Sequence, residues 1–465
     1  MNLTKKYNLT DLLEVNWVES PFIYKLSLAF LITRIPLLNL GYGKDPDAWR
    51  VAISALYLKN YHIYQTSRSP GYPLTEFVNS IVIQYGWVAT NSITMLLSLA
   101  SVIIFGKILD IIKIEKKGLL TVTYAFMPIL WINSTNTMDY MWGLTLLLIS
   151  WYFSLKKRYL LSSIPMGLAI SSRINLILFL LPLTYLVWEE TRNIKKVIYF
   201  NLGAGIISII MFSPLLIKYG LGFITYVQAN FTLISYIEQA GYHVYAGFGP
   251  LPIIIFLMGM LISAKKLIVQ VLNGNEEIIF LILAIVPTLI LYLKAPYEAE
   301  YLIPVIPFGL ILVGKLYSSR LFSLLCILLL LNSVVSVCFV SIDDNGKPEF
   351  KIIDEGAIRK NIDERIHIMQ YSEQIRSSKI NHSVVVAYYY LPSIRYLNLN
   401  SGKNFAKKGD FDIDNDVEYL FSLNKEEFEE FKKEGYTIYY VKRWEREAGY
   451  DIKGLGGVPI ETRFV

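Results

Sequence analysis

The chain has 465 residues, 54% hydrophobic and 14% aromatic, with only 18% charged, against about 25% in a soluble domain. Its mean hydropathy is +0.42, and its formal net charge of +6 comes from short basic clusters set between apolar runs, which excludes a nucleic-acid-binding surface. Both cysteines, Cys326 and Cys338, fall in one apolar run, which excludes a disulfide-stapled secreted domain.

Taken in chain order, eleven apolar runs are candidates to span a bilayer core of ~30 Å: about 22–40, 90–112, 119–133, 138–155, 159–172, 174–188, 197–217, 250–264, 278–294, 300–314 and 321–341. The fifth and sixth are short and read as a hairpin turning at Ser171-Ser172-Arg173. A polar stretch of about twenty residues precedes the first run, and no small-residue cleavage site follows, so no cleavable signal peptide is expected. The stretch Tyr72 to Trp87 is broken by Pro73, Glu76, Asn79 and Gln84, and is expected to lie in the outer interface as an amphipathic helix.

Loop charge sets an orientation. With the N-terminus cytoplasmic, the clusters at 113–117, 156–158, 192–196, Lys265-Lys266 and 315–320 all fall inside. A large first loop at 41–89 and the tail from 342 then fall outside. The tail holds 19 basic and 22 acidic residues in 341–465, half of the chain's charges, and is expected to be a soluble unit. Strands are expected at 383–389, 418–423 and 437–441, with a helix between the last two. Asn424 is placed to cap that helix, with Glu427 three residues on and Gly435 at its end. The expected architecture is an α-helical polytopic membrane protein: about eleven transmembrane helices in 1–341 and a small extracytoplasmic α/β domain in 342–465.

A charge at the bilayer centre costs at least ~2.5–3.5 kcal/mol, so ion-coupled carriers keep a few at mid-span. Here the spans are clean in the middle. Ionisable residues outside the inner loops gather at the outer ends: Lys44, Asp45, Asp47, Arg50, Arg68, Glu76, Asp139, Arg173, Glu238, His243, Lys294, Glu298 and Glu300. This pattern points to one outward-facing polar site under the tail.

The acidic pair in Gly43-Lys44-Asp45-Pro46-Asp47-Ala48-Trp49-Arg50, an amphipathic helix from about Ala48 to Asn60 and the turn Arg68-Ser69-Pro70-Gly71 resemble the GT-C glycosyltransferases. Within that fold the layout of 20–340 is similar to the protein O-mannosyltransferase and aminoarabinose-transferase group, membrane enzymes that use polyprenyl-phosphate-linked sugars. The resemblance implies that Asp47, in Pro46-Asp47-x-x-Arg50, is the catalytic aspartate of the first loop, with Asp45 its rival. It implies a second carboxylate at Asp139 and a basic residue at Arg173, with Asn175 beside it. The sequence departs from these relatives in having Asp-Pro-Asp rather than adjacent acidic residues, and Arg68-Ser69-Pro70 where they carry His-Pro-Pro or Lys-Pro-Pro.

The chemistry needs only one carboxylate. A polyprenyl phosphate leaves as an anion and needs cations rather than a proton. What remains is to take the proton of an acceptor hydroxyl, for which a positioned Asp supplies ~10²–10⁴-fold. The expected function is therefore inverting transfer of a sugar to an extracytoplasmic glycan, lipid or protein acceptor, with Asp47 as base. Arg173, Arg68 and Lys294 are phosphate candidates, and Arg50, Asn175, His243 and Glu298 complete the substrate-binding set; a divalent cation is compatible with the carboxylates. Simpler readings stand beside these: Asp139 as a helix cap, Arg173 as a snorkelling side chain and His243 as an aromatic-belt residue. The alternative function is a transporter or flippase of a lipid-linked saccharide, which predicts broken helices meeting at the midplane.

Overall fold

The computed structural model describes residues 21–224, 233–337, 341–342, 348–349, 353–401, 411–441 and 462–463. Among them, seven helical segments are long and apolar enough to cross a membrane: Pro21–Asn39, Pro73–Ile111, Ile174–Thr191, Ile194–Gly222, Pro250–Leu272, Glu276–Lys294 and Ala299–Leu316. Three shorter apolar helices, Tyr140–Leu155, Tyr159–Ser172 and Ser319–Val334, join them. The chain is a mostly helical, multi-pass membrane protein.

The expected runs differ from these helices at three places, each with a local cause. The run 119–133 is two helices, Lys117–Phe126 and Pro128–Asn133. Pro128 has no N–H and keeps Met127 extended. The helix from Pro250 continues to Leu272, so Lys265 and Lys266 lie on it rather than in a loop; Leu267-Ile268-Val269 sustain it, and the turn comes only at Asn273-Gly274-Asn275. The last run stops at Val334 and continues as the strand Val335–Val337, paired antiparallel with Ile353–Glu355, as its β-branched valines favour. The stretch expected in the interface is the helix Pro73–Val82 and a 3₁₀ turn at Ile83–Tyr85. Gly86, at φ +72°, leads from there into Gly86–Ile111.

Small residues let neighbouring helices approach closely. Tyr159–Ser172 lies between Tyr140–Leu155 and Ile194–Tyr219. A Cβ on Gly167 would fall 2.7 Å from the Ala204 carbonyl oxygen. In lipid, where apolar burial does not drive helices together, such close backbone approach and polar links do. Ser162 supplies the links here, meeting Ser150 at 2.9 Å and Ser154 at 2.8 Å.

The tail carries a five-stranded mixed sheet in the order Phe411–Asp412, Val417–Leu420, Ser383–Val386, Thr437–Tyr440, Thr462–Arg463. Ser383 pairs in parallel with Val417 on one side and Thr437 on the other. The central strand is buried on both faces and reads as an unbroken apolar run. Asn424 and Glu427 form the expected capping box on Lys425–Lys433. Two further helices, Ala357–Ser377 and Leu391–Asn400, had no expected counterpart. Cys338, Asn230-Phe231-Thr232 and Gly454 to Gly457 lie outside the described residues.

Candidate functional site

The segment after Pro21–Asn39 opens a helix that aims two carboxylates. Asp45 is the N-cap of Pro46–Tyr61, its Oδ1 accepting from the Asp47 N–H at 2.8 Å, and Pro46 takes the first helical position, where no N–H is needed. Trp49, buried behind them, donates to the Gly43 carbonyl at 3.0 Å and holds the loop to the helix. Asp47 in the first turn is bound on both oxygens, by Arg50 Nη1 at 2.6 Å and Arg68 Nε at 2.9 Å.

Arg68 reaches Asp47 because Glu76 ties its loop. The buried Glu76 carboxylate accepts from Ser67 N–H at 2.7 Å, Tyr64 hydroxyl at 2.5 Å and Tyr72 N–H at 3.2 Å. Arg68 then extends over the Tyr72 ring, 3.9 Å from its centre, and donates from Nη2 to Asp139 Oδ1 at 2.5 Å. The other oxygen of Asp139 accepts from Arg173 Nη1 at 2.6 Å. Asp139 is 0% exposed and makes no side-chain cap on Tyr140–Leu155; it is the bridge between two guanidinium groups. Arg173 is also buried, 4.0 Å above the Tyr140 ring, so it does not snorkel to water. The Tyr140 hydroxyl continues the row to Glu298 Oε2.

Asp45, Asp47 and Glu298 thereby converge, all half-buried, with one oxygen of each within 4.8 Å of the others. Burial first, and then the Asp47 carboxylate, push Asp45 up to about 7. Burial and the charges of Asp45 and Glu300 push Glu298 well above the usual carboxylate range. Two carboxylates so disfavoured as anions, with oxygen as the only donor atom, suit a hard cation such as Mg²⁺ or Mn²⁺ better than zinc. Asp45 and Glu298 would hold it, since both Asp47 oxygens are already engaged.

The remaining expected residues sit further out. Arg50 is part-exposed at the edge, beyond Asp47. Lys294 is exposed at the end of Glu276–Lys294, with no ion-pair partner among the described residues. Asn175 opens the 3₁₀ turn Ile174–Phe179 after Arg173, half-buried. His243 lies on the helix Leu233–Phe248, which also had no expected counterpart, edge-on to Tyr242. Burial holds its imidazole below the ordinary value against the pull of Glu300.

One positioning residue escaped the sequence reading. Arg365, on the tail helix Ala357–Ser377, is buried and donates to Leu40 O at 3.1 Å, Gly41 O at 2.9 Å, Thr135 O at 3.1 Å and Thr135 Oγ1 at 3.2 Å. It locks the segment leading to Asp45 and Asp47 against the segment leading to Asp139. Nearby, Tyr396 meets Tyr42 hydroxyl to hydroxyl at 2.5 Å, and Glu364 pairs with Lys44 at 3.2 Å. Arg365→Met strands buried carbonyls at about 1–3 kcal/mol each. It is expected to lower the unfolding temperature in detergent and to disturb the spacing of the two acidic segments, with partial recovery in Arg365→Lys. Wild-type stability of the Met variant would refute the clamp.

No protein-family model matches the chain, and no curated protein matches it significantly. Among solved structures it is similar to the Archaeoglobus fulgidus oligosaccharyltransferase tethered by a disulfide to an acceptor peptide with an NVT sequon, at 10% identity and a TM-score of 0.43, over 82% of this chain and 64% of that one. It is likewise similar to the same enzyme in complex with Zn and sulfate, at 11% identity and a TM-score of 0.42, over 81% and 61%. The chain thus spans less than two thirds of that enzyme's length.

Proposed function

We propose that the chain is an integral membrane glycosyltransferase. It moves a sugar from a polyprenyl-phosphate-linked donor to a hydroxyl of an extracytoplasmic acceptor, inverting the anomeric centre, with Asp45 as general base. The observation that carries this reading is the unequal treatment of two neighbouring carboxylates. Asp47 has both oxygens spent on arginines, which leaves neither placed to take a proton from an acceptor. Asp45 has one oxygen on a backbone N–H and is pushed up to about 7 by burial and by Asp47, which suits a base working near neutral pH. The base role read from the sequence for Asp47 therefore passes to its rival.

In this mechanism Asp45 takes the proton of the acceptor hydroxyl as its oxygen bonds to the anomeric carbon from the face opposite the phosphate. The anomeric carbon–oxygen bond breaks and its electron pair leaves with the polyprenyl phosphate. Arg68 supports the role of phosphate ligand because its Nη1 is buried with no hydrogen-bond partner, a donor that an arriving phosphate oxygen would satisfy. Asp47 and Asp139 hold that guanidinium in place through its other two nitrogens. A divalent cation on Asp45 and Glu298 would take the Asp45 oxygen that serves as base and lower its basicity, so this mechanism runs with Asp45 free of metal. The basic clusters support an extracytoplasmic site: Tyr140–Leu155 starts beside Asp139 and ends at Lys156, and the inner lysines Lys116 and Lys266 meet the 315–319 segment.

The test is sugar transfer by the purified chain in vesicles, given labelled polyprenyl-phosphate hexoses and pentoses. Formation of a labelled acceptor product with release of polyprenyl phosphate is expected. No transfer from any such donor, with labelled lipid-linked saccharide crossing the bilayer instead, would replace this reading with the transporter.

A further inference from the structure

At the opposite end of the helices from the acidic site, Pro250–Leu272 and Ser319–Val334 flank a cleft of about 470 Å³ closed by the loop at Leu316 to Ser318. Its walls are apolar. Ile262 and Leu324 line it and remain 72% and 43% exposed, so it opens sideways toward the hydrocarbon rather than into a protein core. Its rim is cationic, formed by Lys266 and Arg320. The Lys266 ammonium donates to the Lys315 carbonyl at 2.7 Å and the Leu316 carbonyl at 3.2 Å. Those two bonds fix its place and leave one of its three hydrogens for another acceptor.

No carboxylate lines the cleft. Glu277, the acidic neighbour of this corner, is paired with Lys315, and among the described residues neither Lys266 nor Arg320 has an ion-pair partner. Lys116 adds a third positive charge on the same helix start, donating to Ser319 O at 2.9 Å and Ser323 Oγ at 3.0 Å. Uncompensated cations above lipid-facing apolar walls match one occupant by charge and by shape.

We propose that this cleft binds an anionic phospholipid, its headgroup phosphate on Lys266 and Arg320 and the upper part of an acyl chain against Ile262 and Leu324. Basic pockets between membrane helices recognise anionic headgroups in this way. A free phosphate ion would leave the apolar walls uncovered, and a zwitterionic lipid would bring its own ammonium to a rim that already has two cations. The inference is independent of the glycosyl-transfer reading and rests on the membrane character of the helices.

Retention of phosphatidylglycerol against phosphatidylcholine by the purified full chain, followed by native mass spectrometry, tests it. Wild type is expected to prefer phosphatidylglycerol. Arg320→Gln, at an exposed position where folding is not at stake, is expected to reduce that preference about fivefold, and Arg320→Glu to abolish it. Lys195→Gln, in another basic cluster at the start of Ile194–Tyr219, is expected to leave it unchanged. Equal retention of the two lipids, an undiminished preference in both Arg320 variants, or an equal loss in Lys195→Gln would overturn the site. Displacement of the lipid by millimolar inorganic phosphate, or occupation of the cleft by a co-purified protein, would overturn the choice of occupant.

Discussion

Asp45→Asn is expected to lower turnover by about 10²-fold or more while leaving donor affinity nearly unchanged. The substitution keeps the side chain's shape and its ability to accept from the Asp47 N–H, the bond that starts the helix Pro46–Tyr61, and removes only the basic oxygen. Asp47→Asn is expected to behave differently. It releases Arg50 and Arg68 from their ion pairs, so its loss should appear in donor binding as well as in turnover.

The pH dependence gives a separate reading of the same assignment. A base must be ionised, and burial with the Asp47 charge pushes Asp45 up to about 7. Turnover should therefore rise with pH through that region and level off above it. Asp47→Asn removes one of the charges that raise Asp45 and should move the rise to lower pH. Steady-state rates and donor titrations of both variants decide the matter. If Asp45→Asn is benign and Asp47→Asn loses turnover with donor binding intact, Asp47 is the base.

Asp139→Asn is expected to have the largest effect on stability of any single change at the site, about 3–5 kcal/mol. Its carboxylate is fully buried and divides its two oxygens between Arg68 and Arg173. An amide in its place leaves two guanidinium groups facing each other without a counter-charge. The comparison that isolates this is Arg173→Met alone and with Asp139→Asn, followed by thermal unfolding in detergent. The double variant should be less damaged than the sum of the singles, because removing one arginine relieves part of the repulsion that the amide leaves behind. Strict additivity, or an Asp139→Asn protein as stable as wild type, would show that the bridge contributes little.

The sequence by itself determined what depends on local composition. Apolar runs between basic clusters marked the membrane helices, because a run of apolar residues needs no partner to be excluded from water. The polar residues at one end of the helices, Asp45, Asp47, Arg68, Asp139, Arg173 and Glu298, were legible as one group for the same reason, and Asn424 with Glu427 was legible as a cap because both partners lie within one turn. Tertiary structure alone decided how those residues pair. The Arg68–Asp139 bond spans 71 positions and the Arg365–Gly41 bond 324, and nothing in local pattern ranks such partners. It also decided which carboxylate is spent on arginines and which is not, since Asp45 and Asp47 differ in sequence only by two places. Ala357–Ser377 went unread because its inward face is mixed: Asn361, Arg365 and Ser372 are buried beside Ile375, which interrupts the apolar stripe, and the burial of Arg365 follows from the carbonyls and hydroxyl that the segments at Leu40–Gly41 and Thr135 turn toward it.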